Sequence, residues 1–100
     1  METGSYLLLG NPGNQDSFFS TAHGSGRTMS RTKARKMWKG DKLRRELLHR
    51  GIYIRSASLK GLSEEAGGAY KSIDDVVAAT SLAGLSRPVA RFVPIGNIKG

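Results

Sequence analysis

Hydrophobic and polar positions alternate along this chain in short runs, and each run predicts a short element rather than a long one. The first, SYLLLG over Ser5 to Gly10, is an apolar stretch closed by glycine and followed by NPGNQD, which predicts a buried strand and then a loop. Phe18 and Phe19 lead into a glycine-bearing turn around His23. From Thr28 or Ser30, either of which can act as an N-cap, the residue types favour a helix through Trp38. A second helix is better marked: Asp41 is the expected N-cap, Leu43, Leu47 and Leu48 share one face, Glu46 and Arg50 are four apart, and Gly51 follows as a stop. IYIRS, Ile52 to Ser56, has the period of a half-buried strand. Ser72 with Asp75 resembles a capping box that opens a helix through IDDVVAATSLAG, ending near Gly84. In PVARFVPIGNIKG, Val89, Arg91 and Val93 alternate with Ala90 and Phe92, predicting a final strand broken at Pro94 and Gly96. Short strands mixed with about three helices, and no internal repeat, predict an α+β fold.

Composition narrows the class. A chain of 100 residues can bury roughly 60 to 65% of its unfolded surface. With 38% hydrophobic residues and 13 glycines, it is either a small loop-rich fold or a piece of something larger. There is no cysteine, which excludes a disulfide framework and a thiolate metal site and fits a reducing compartment. No apolar run approaches the roughly 20 residues of a membrane span, and METGSYLLLG lacks the basic start of a signal peptide. A soluble cytoplasmic protein without membrane partners is the expectation.

Charge is unevenly placed. Between Arg27 and Lys60 there are twelve lysines and arginines against Asp41 and Glu46 alone. A block of this density suits a polyanion, because each neutralised phosphate releases condensed counterions. It also suits a solvated basic face, and it does not separate RNA from DNA or a nucleotide.

The string HGSGR, His23 to Arg27, collects the parts of a phosphate-handling site. His23 offers a nucleophilic or metal-binding nitrogen, Gly24 and Gly26 allow close backbone approach, and Arg27 supplies a guanidinium. The spacing is neither a P-loop nor a dinucleotide fingerprint, and a histidine in a glycine turn also serves as a hydrogen-bonded structural residue.

Taken in order and spacing, GSYLLLG, SFFSTAHGSGRTMSRTKA, EEAGGAYKSIDDVV and the terminal VARFVPIGNIKG resemble the C-terminal end of RtcB-type RNA ligases, and the resemblance covers essentially the whole chain. It implies an enzyme that joins an RNA 3′-phosphate or 2′,3′-cyclic phosphate to a 5′-hydroxyl, in tRNA splicing and RNA repair, with GTP and manganese. By this resemblance His23 is the nucleophile that carries GMP through a phosphoramidate bond. Gly24, Ser25 and Gly26 close around the nucleotide, Ser25 standing where many members have alanine. Arg27 and Arg31 face phosphates or the RNA backbone. Ser5, Tyr70 and Lys99 occupy positions of guanylate contacts, the tyrosine beside the base.

The same resemblance marks departures. The family's manganese ligands, a cysteine, histidines and an aspartate, lie upstream of this region and are absent here. His49 is expected to be a solvated helix residue rather than a ligand. Relatives also have a glycine- and serine-bearing turn before the position of Met1 and a glycine where this chain has Glu2, whose carboxylate is expected to disfavour phosphate. The implied reading is a single segment, residues 1–100, the C-terminal portion of an RtcB-like catalytic domain without its metal-binding portion. It would be inert until joined to that portion, with tRNA halves as substrate and an archease-type activator as a further partner. The alternatives are a non-catalytic basic RNA-binding module and a degraded gene product that folds poorly alone.

Overall fold

Ser30 sets the first helix. Its hydroxyl accepts a hydrogen bond from the Lys33 N–H at 3.2 Å and caps α1 (Arg31–Met37), so of the two candidate caps the later one is used. The computed structural model describes residues 1–100 and resolves them into two compact units. One contains 1–3, 27–70 and 94–100; the other contains 4–26 and 71–93. Helices and short strands are mixed, four of each, so the expected α+β class holds. No helix is long and apolar enough to cross a membrane.

In the first unit, α2 (Gly40–His49) begins two residues earlier than expected, with Lys39 rather than Asp41 as its N-cap. Asp41 falls in the first turn instead, where its carboxylate complements the helix dipole and pairs with Arg45 at 3.2 Å. The reason lies in packing: a Cβ on Gly40 would stand 2.1 Å from the Leu59 carbonyl oxygen, so the helix starts on a glycine where two backbones meet. Leu43 and Leu47 are buried, but Leu48 is not, and the apolar face of α2 is narrower than its leucines suggest. His49 is exposed in the last turn. Beyond α2, Gly51 takes φ +78° and turns the chain into β2 (Tyr53–Ser56). Then α3 (Leu59–Glu64), capped by the Ser58 hydroxyl, adds Leu62 to a core of Leu43, Leu47, Ile52, Ile54 and Ala66, against which Met1 and Trp38 pack.

Two elements of this unit escape the hydrophobic pattern. α3 is six residues long with glycine at its centre, too short to show a helical period. β4 (Gly96–Lys99) lies where Pro94 and Gly96 suggest a break. The proline stays outside, and the glycine is the strand's first residue. β4 runs parallel to β2, with Tyr53 opposite Gly96 and Ser56 opposite Lys99.

The second unit pairs β1 (Ser5–Gly10) antiparallel with β3 (Ser86–Phe92) and adds α4 (Ile73–Leu82). The Ser72 hydroxyl accepts from the Asp75 N–H at 3.3 Å, as the capping box predicts. The ladder slips between Leu7 and Leu8, because Leu7 pairs with Ala90 and Leu8 with Pro88, leaving Val89 bulged. β3 therefore starts before the predicted Val89 and contains a proline. The expected burial of β1 is corrected here: Leu7 and Leu9 are 53% and 47% exposed, since two strands and one helix leave a face of the sheet uncovered. Val77, Thr80 and Ser86 are the buried residues of this unit.

The Gly40 approach is testable. Glycine to alanine inside a helix normally stabilises by about 1 kcal/mol. At Gly40 the added methyl meets a backbone carbonyl, so Gly40→Ala is expected to lower stability by about 1–3 kcal/mol, the usual range for overpacking, in urea unfolding. A gain in stability would show that α2 and α3 do not approach as described.

Candidate functional site

The residues singled out in the sequence fall into both units, and each group is built differently. In the second unit, His23 lies in an irregular, exposed segment and makes no hydrogen bond. The segment is tied down on either side of it. Thr21 Oγ1 lies 3.1 Å from the Ser86 hydroxyl, and the Gly26 carbonyl accepts from the Lys71 N–H at 2.8 Å. Between these ties the N–H groups of His23, Gly24, Ser25 and Gly26 have no partner in the chain. Exposed free N–H groups beside glycines suit an anion, which needs donors and close approach together. Ser5, exposed, opens β1 opposite Phe92.

In the first unit, three of the predicted residues meet through one that the sequence does not reveal. Glu65, just after α3, accepts the Tyr70 hydroxyl hydrogen bond at 2.9 Å and lies 3.9 Å from Lys99 Nζ and 3.8 Å from Arg27 Nη1. Arg27 Nη1 also donates to the Tyr70 hydroxyl at 2.8 Å, its Nε donates to the Met29 carbonyl, and its guanidinium stacks 4.7 Å from the centre of the Tyr70 ring. The remaining nitrogen, Nη2, is buried without a partner. A buried guanidinium nitrogen with no acceptor is costly, and this one is a spare donor suited to an anionic oxygen. Arg27 and Tyr70 are brought together by an isolated antiparallel bridge between their backbones. Lys99 is fixed because it belongs to β4 and its carbonyl accepts from the Ala57 N–H.

Arg31 is separate from this cluster. It lies 3.5 Å from Glu64, which Arg35 also meets at 3.1 Å, and its side chain is 69% exposed. Glu2, whose carboxylate by charge alone would oppose phosphate, is engaged inside its own unit. It accepts from the Gly67 N–H at 2.6 Å and from Arg50 at 3.1 Å. No three histidine, cysteine, aspartate or glutamate side chains come together to hold a metal ion, so the residues present do not fit a manganese site.

Nothing in the sequence marks Glu65, because its partners come from stretches up to thirty-eight residues before and thirty-four after it. Its effect is legible in Tyr70. Burial pushes the Tyr70 hydroxyl above its ordinary value, and the hydrogen bond and negative charge of Glu65 push it further, with Arg27 opposing. A phenol whose pKa is raised by folding contributes stability that is complete below its unfolded value, about 10, and lost as the pH rises through the folded value. Glu65→Gln is therefore expected to lower the pH at which Tyr70 ionises in the folded chain, part of the way back, and to make the alkaline loss of stability that Tyr70 contributes smaller, ending at lower pH. Phenolate absorbance, with Tyr70→Phe identifying the component, checks this; an unchanged titration contradicts the cluster.

Comparison with known proteins completes the picture. The family described as tRNA-splicing ligase RtcB matches residues 1–100. The tRNA-splicing ligase RtcB of Pyrococcus horikoshii is 50% identical over 101 residues, covering all of this chain and 12% of the relative. That of Thermococcus kodakarensis is also 50% identical, over 21% of its length. The RNA-splicing ligase RtcB of Mycobacterium tuberculosis is 48% identical over 100 residues, 23% of its length. The chain thus spans less than a quarter of each of these relatives, yet the match takes in the HGSGR turn, the Tyr70 segment and the terminal Lys99 alike. By this whole-chain match the protein belongs to the tRNA-splicing ligase RtcB family.

Proposed function

We propose that this chain is the guanylate-carrying C-terminal segment of a GTP-dependent RNA ligase that joins RNA 3′-phosphate or 2′,3′-cyclic phosphate ends to 5′-hydroxyl ends, with tRNA halves as substrate. The observation that carries the reading is the HGSGR turn inside a family match over residues 1–100. His23 suits the role of nucleophile: it is exposed, free of hydrogen bonds, and held in a segment tied at Thr21 and Gly26. In the proposed step an imidazole nitrogen attacks the α-phosphorus of GTP. The new P–N bond forms as the bond to pyrophosphate breaks, and the ring's proton passes to solvent. The guanylate is then handed to an RNA 3′-phosphate oxygen as the P–N bond breaks.

The free N–H groups of His23 to Gly26 are the donors offered to the nucleotide's phosphates, with Ser5 as a further contact from the same unit. Tyr70 and Lys99 are assigned to the guanylate, and Arg27, through its unpartnered Nη2, to a phosphate oxygen. Arg31, mostly exposed, is assigned to the RNA backbone. The metal that the family resemblance implies would be held by residues outside this chain, since none here are grouped to hold it, and no step is routed through it. The reading therefore requires further polypeptide to complete the enzyme, with an archease-type activator as an additional partner.

Intact mass after incubation with GTP and manganese tests the reading. The chain alone is expected to stay unmodified. Mixed with the Thermococcus kodakarensis relative truncated to remove its matching residues, it is expected to gain one guanylate, and His23→Ala is expected to gain none. Modification of His23→Ala to the same extent, or none in the wild-type mixture that forms a complex, overturns the assignment.

A further inference from the structure

α2 and β2 enclose a groove of about 250 Å³ lined by Arg44, Arg45, Leu48, Tyr53, Ile54 and Arg55, none of which is a partner of Glu65. Its composition follows from two periodicities. Arg44, Arg45 and Leu48 occupy the edge of α2 left over once Leu43 and Leu47 are turned into the core. Tyr53 and Arg55, two apart on β2, point outward while Ile54 points in. Of the three arginines, Arg44 and Arg55 have no ion-pair or hydrogen-bond partner, and Arg45 has only Asp41, across an exposed pair. Surface pairs of that kind are weak and exchange readily. Tyr53 is 58% exposed, and Leu48, 59% exposed, lies alongside it.

We infer that this groove is a second nucleic-acid contact of the chain, a docking site for single-stranded RNA whose lining includes no residue of the His23 segment or of the Tyr70 cluster. Charge complementarity selects a polyanion: three guanidinium groups converge with a single carboxylate beside them. The exposed ring selects a strand with unstacked bases, since a base paired and stacked in a duplex cannot lie on Tyr53. The volume is below the roughly 300 Å³ of a small-ligand pocket, so it seats one base while the arginines follow the phosphates on either side. The choice of RNA over another single strand rests on the ligase reading above; the site itself does not. Arginine rather than lysine at all three positions fits planar, two-pronged contact with phosphate oxygens.

Fluorescence anisotropy with a labelled ten-nucleotide uridine strand, without GTP or metal, tests the site on the whole chain. Replacing Arg44, Arg45 and Arg55 together by alanine is expected to weaken binding at least tenfold and to reduce the slope of log affinity against log salt by about 2, at about 0.7 for each phosphate no longer neutralised. Removing equal charge from the exposed face of α1 and its end, at Lys33, Lys36 and Lys39, is expected to weaken it less than threefold. Tyr53→Ala is expected to cost about fivefold or more without changing the salt slope. The substituted side chains are exposed, and a triple Arg→Lys variant that keeps the charge is expected to keep the slope, which separates the effect of the charges from a failure to fold. Equal losses from the arginine and lysine sets, an unchanged Tyr53→Ala, or tighter binding of duplex RNA, a deoxyribonucleotide strand or polyglutamate would each overturn the proposal. Because guanylylation is not needed for this readout, failure of the His23 assignment and failure of the groove give different results.

Discussion

A single carboxylate organises the part of the chain that carries its charge. The first unit holds thirteen lysines and arginines against five carboxylates, while the second holds three of each, so the whole formal charge of +8 belongs to the first. Self-repulsion on that scale opposes a compact state. It is offset in part at three carboxylates: Glu65 lies among Arg27, Tyr70 and Lys99, Glu64 lies between Arg31 and Arg35, and Glu2 joins Arg50 to the Gly67 amide. All three carboxylates are substantially shielded, so their pairs are screened less than the exposed pairs along α2. Without Glu65, Arg27 and Lys99 would lose the carboxylate they share, and Arg27 would keep only neutral acceptors, the Met29 carbonyl and the Tyr70 hydroxyl.

The second unit solves the opposite problem. It is neutral, and its buried residues are few and partly polar. What holds it is directional: the Tyr6 hydroxyl donates to Asp74, Asn14 donates to the Leu85 carbonyl, Asn11 donates to the Gly84 carbonyl, and Thr21 meets Ser86. These ties fix the loops on either side of β1 and α4 without covering the sheet, and Leu7, Leu9, Val89 and Phe92 remain open to solvent. The tethering of Thr21 matters most, because it limits the freedom of the segment that bears His23.

Elements with local causes were legible. The hydroxyl caps at Ser30 and Ser72, the glycine stops at Gly51 and Gly84, and the alternation in IYIRS depend on residues within a few positions of one another, and all are present. What depends on distant chain was not. α2 starts at Gly40 because of Leu59, nineteen residues on, and β4 exists because β2 offers it an edge. β1 has a strand's pattern, yet its exposure is decided by how many elements cover the sheet, which no window of sequence contains. The same division runs through the site. HGSGR is one contiguous string, whereas Glu65 matters only because β4 returns Lys99 and the bridge to Tyr70 brings Arg27 to its side.

That contrast separates two kinds of cation in one basic block. Arg27 is fixed by a carbonyl, a hydroxyl and a ring, which leaves one nitrogen without a partner; such a group is pre-organised, and its cost of ordering is met in folding. Arg44 and Arg55 are fixed by nothing beyond their own stems, so each loses side-chain freedom when it meets a phosphate. A pre-organised guanidinium suits a step that requires one geometry. Free guanidinium groups suit a long, variable anion that must arrive, be held and leave. The sequence writes both as arginine within thirty residues, and the neighbouring carboxylates distinguish them: Glu65 stands beside Arg27, and no acidic side chain is paired with Arg44 or Arg55.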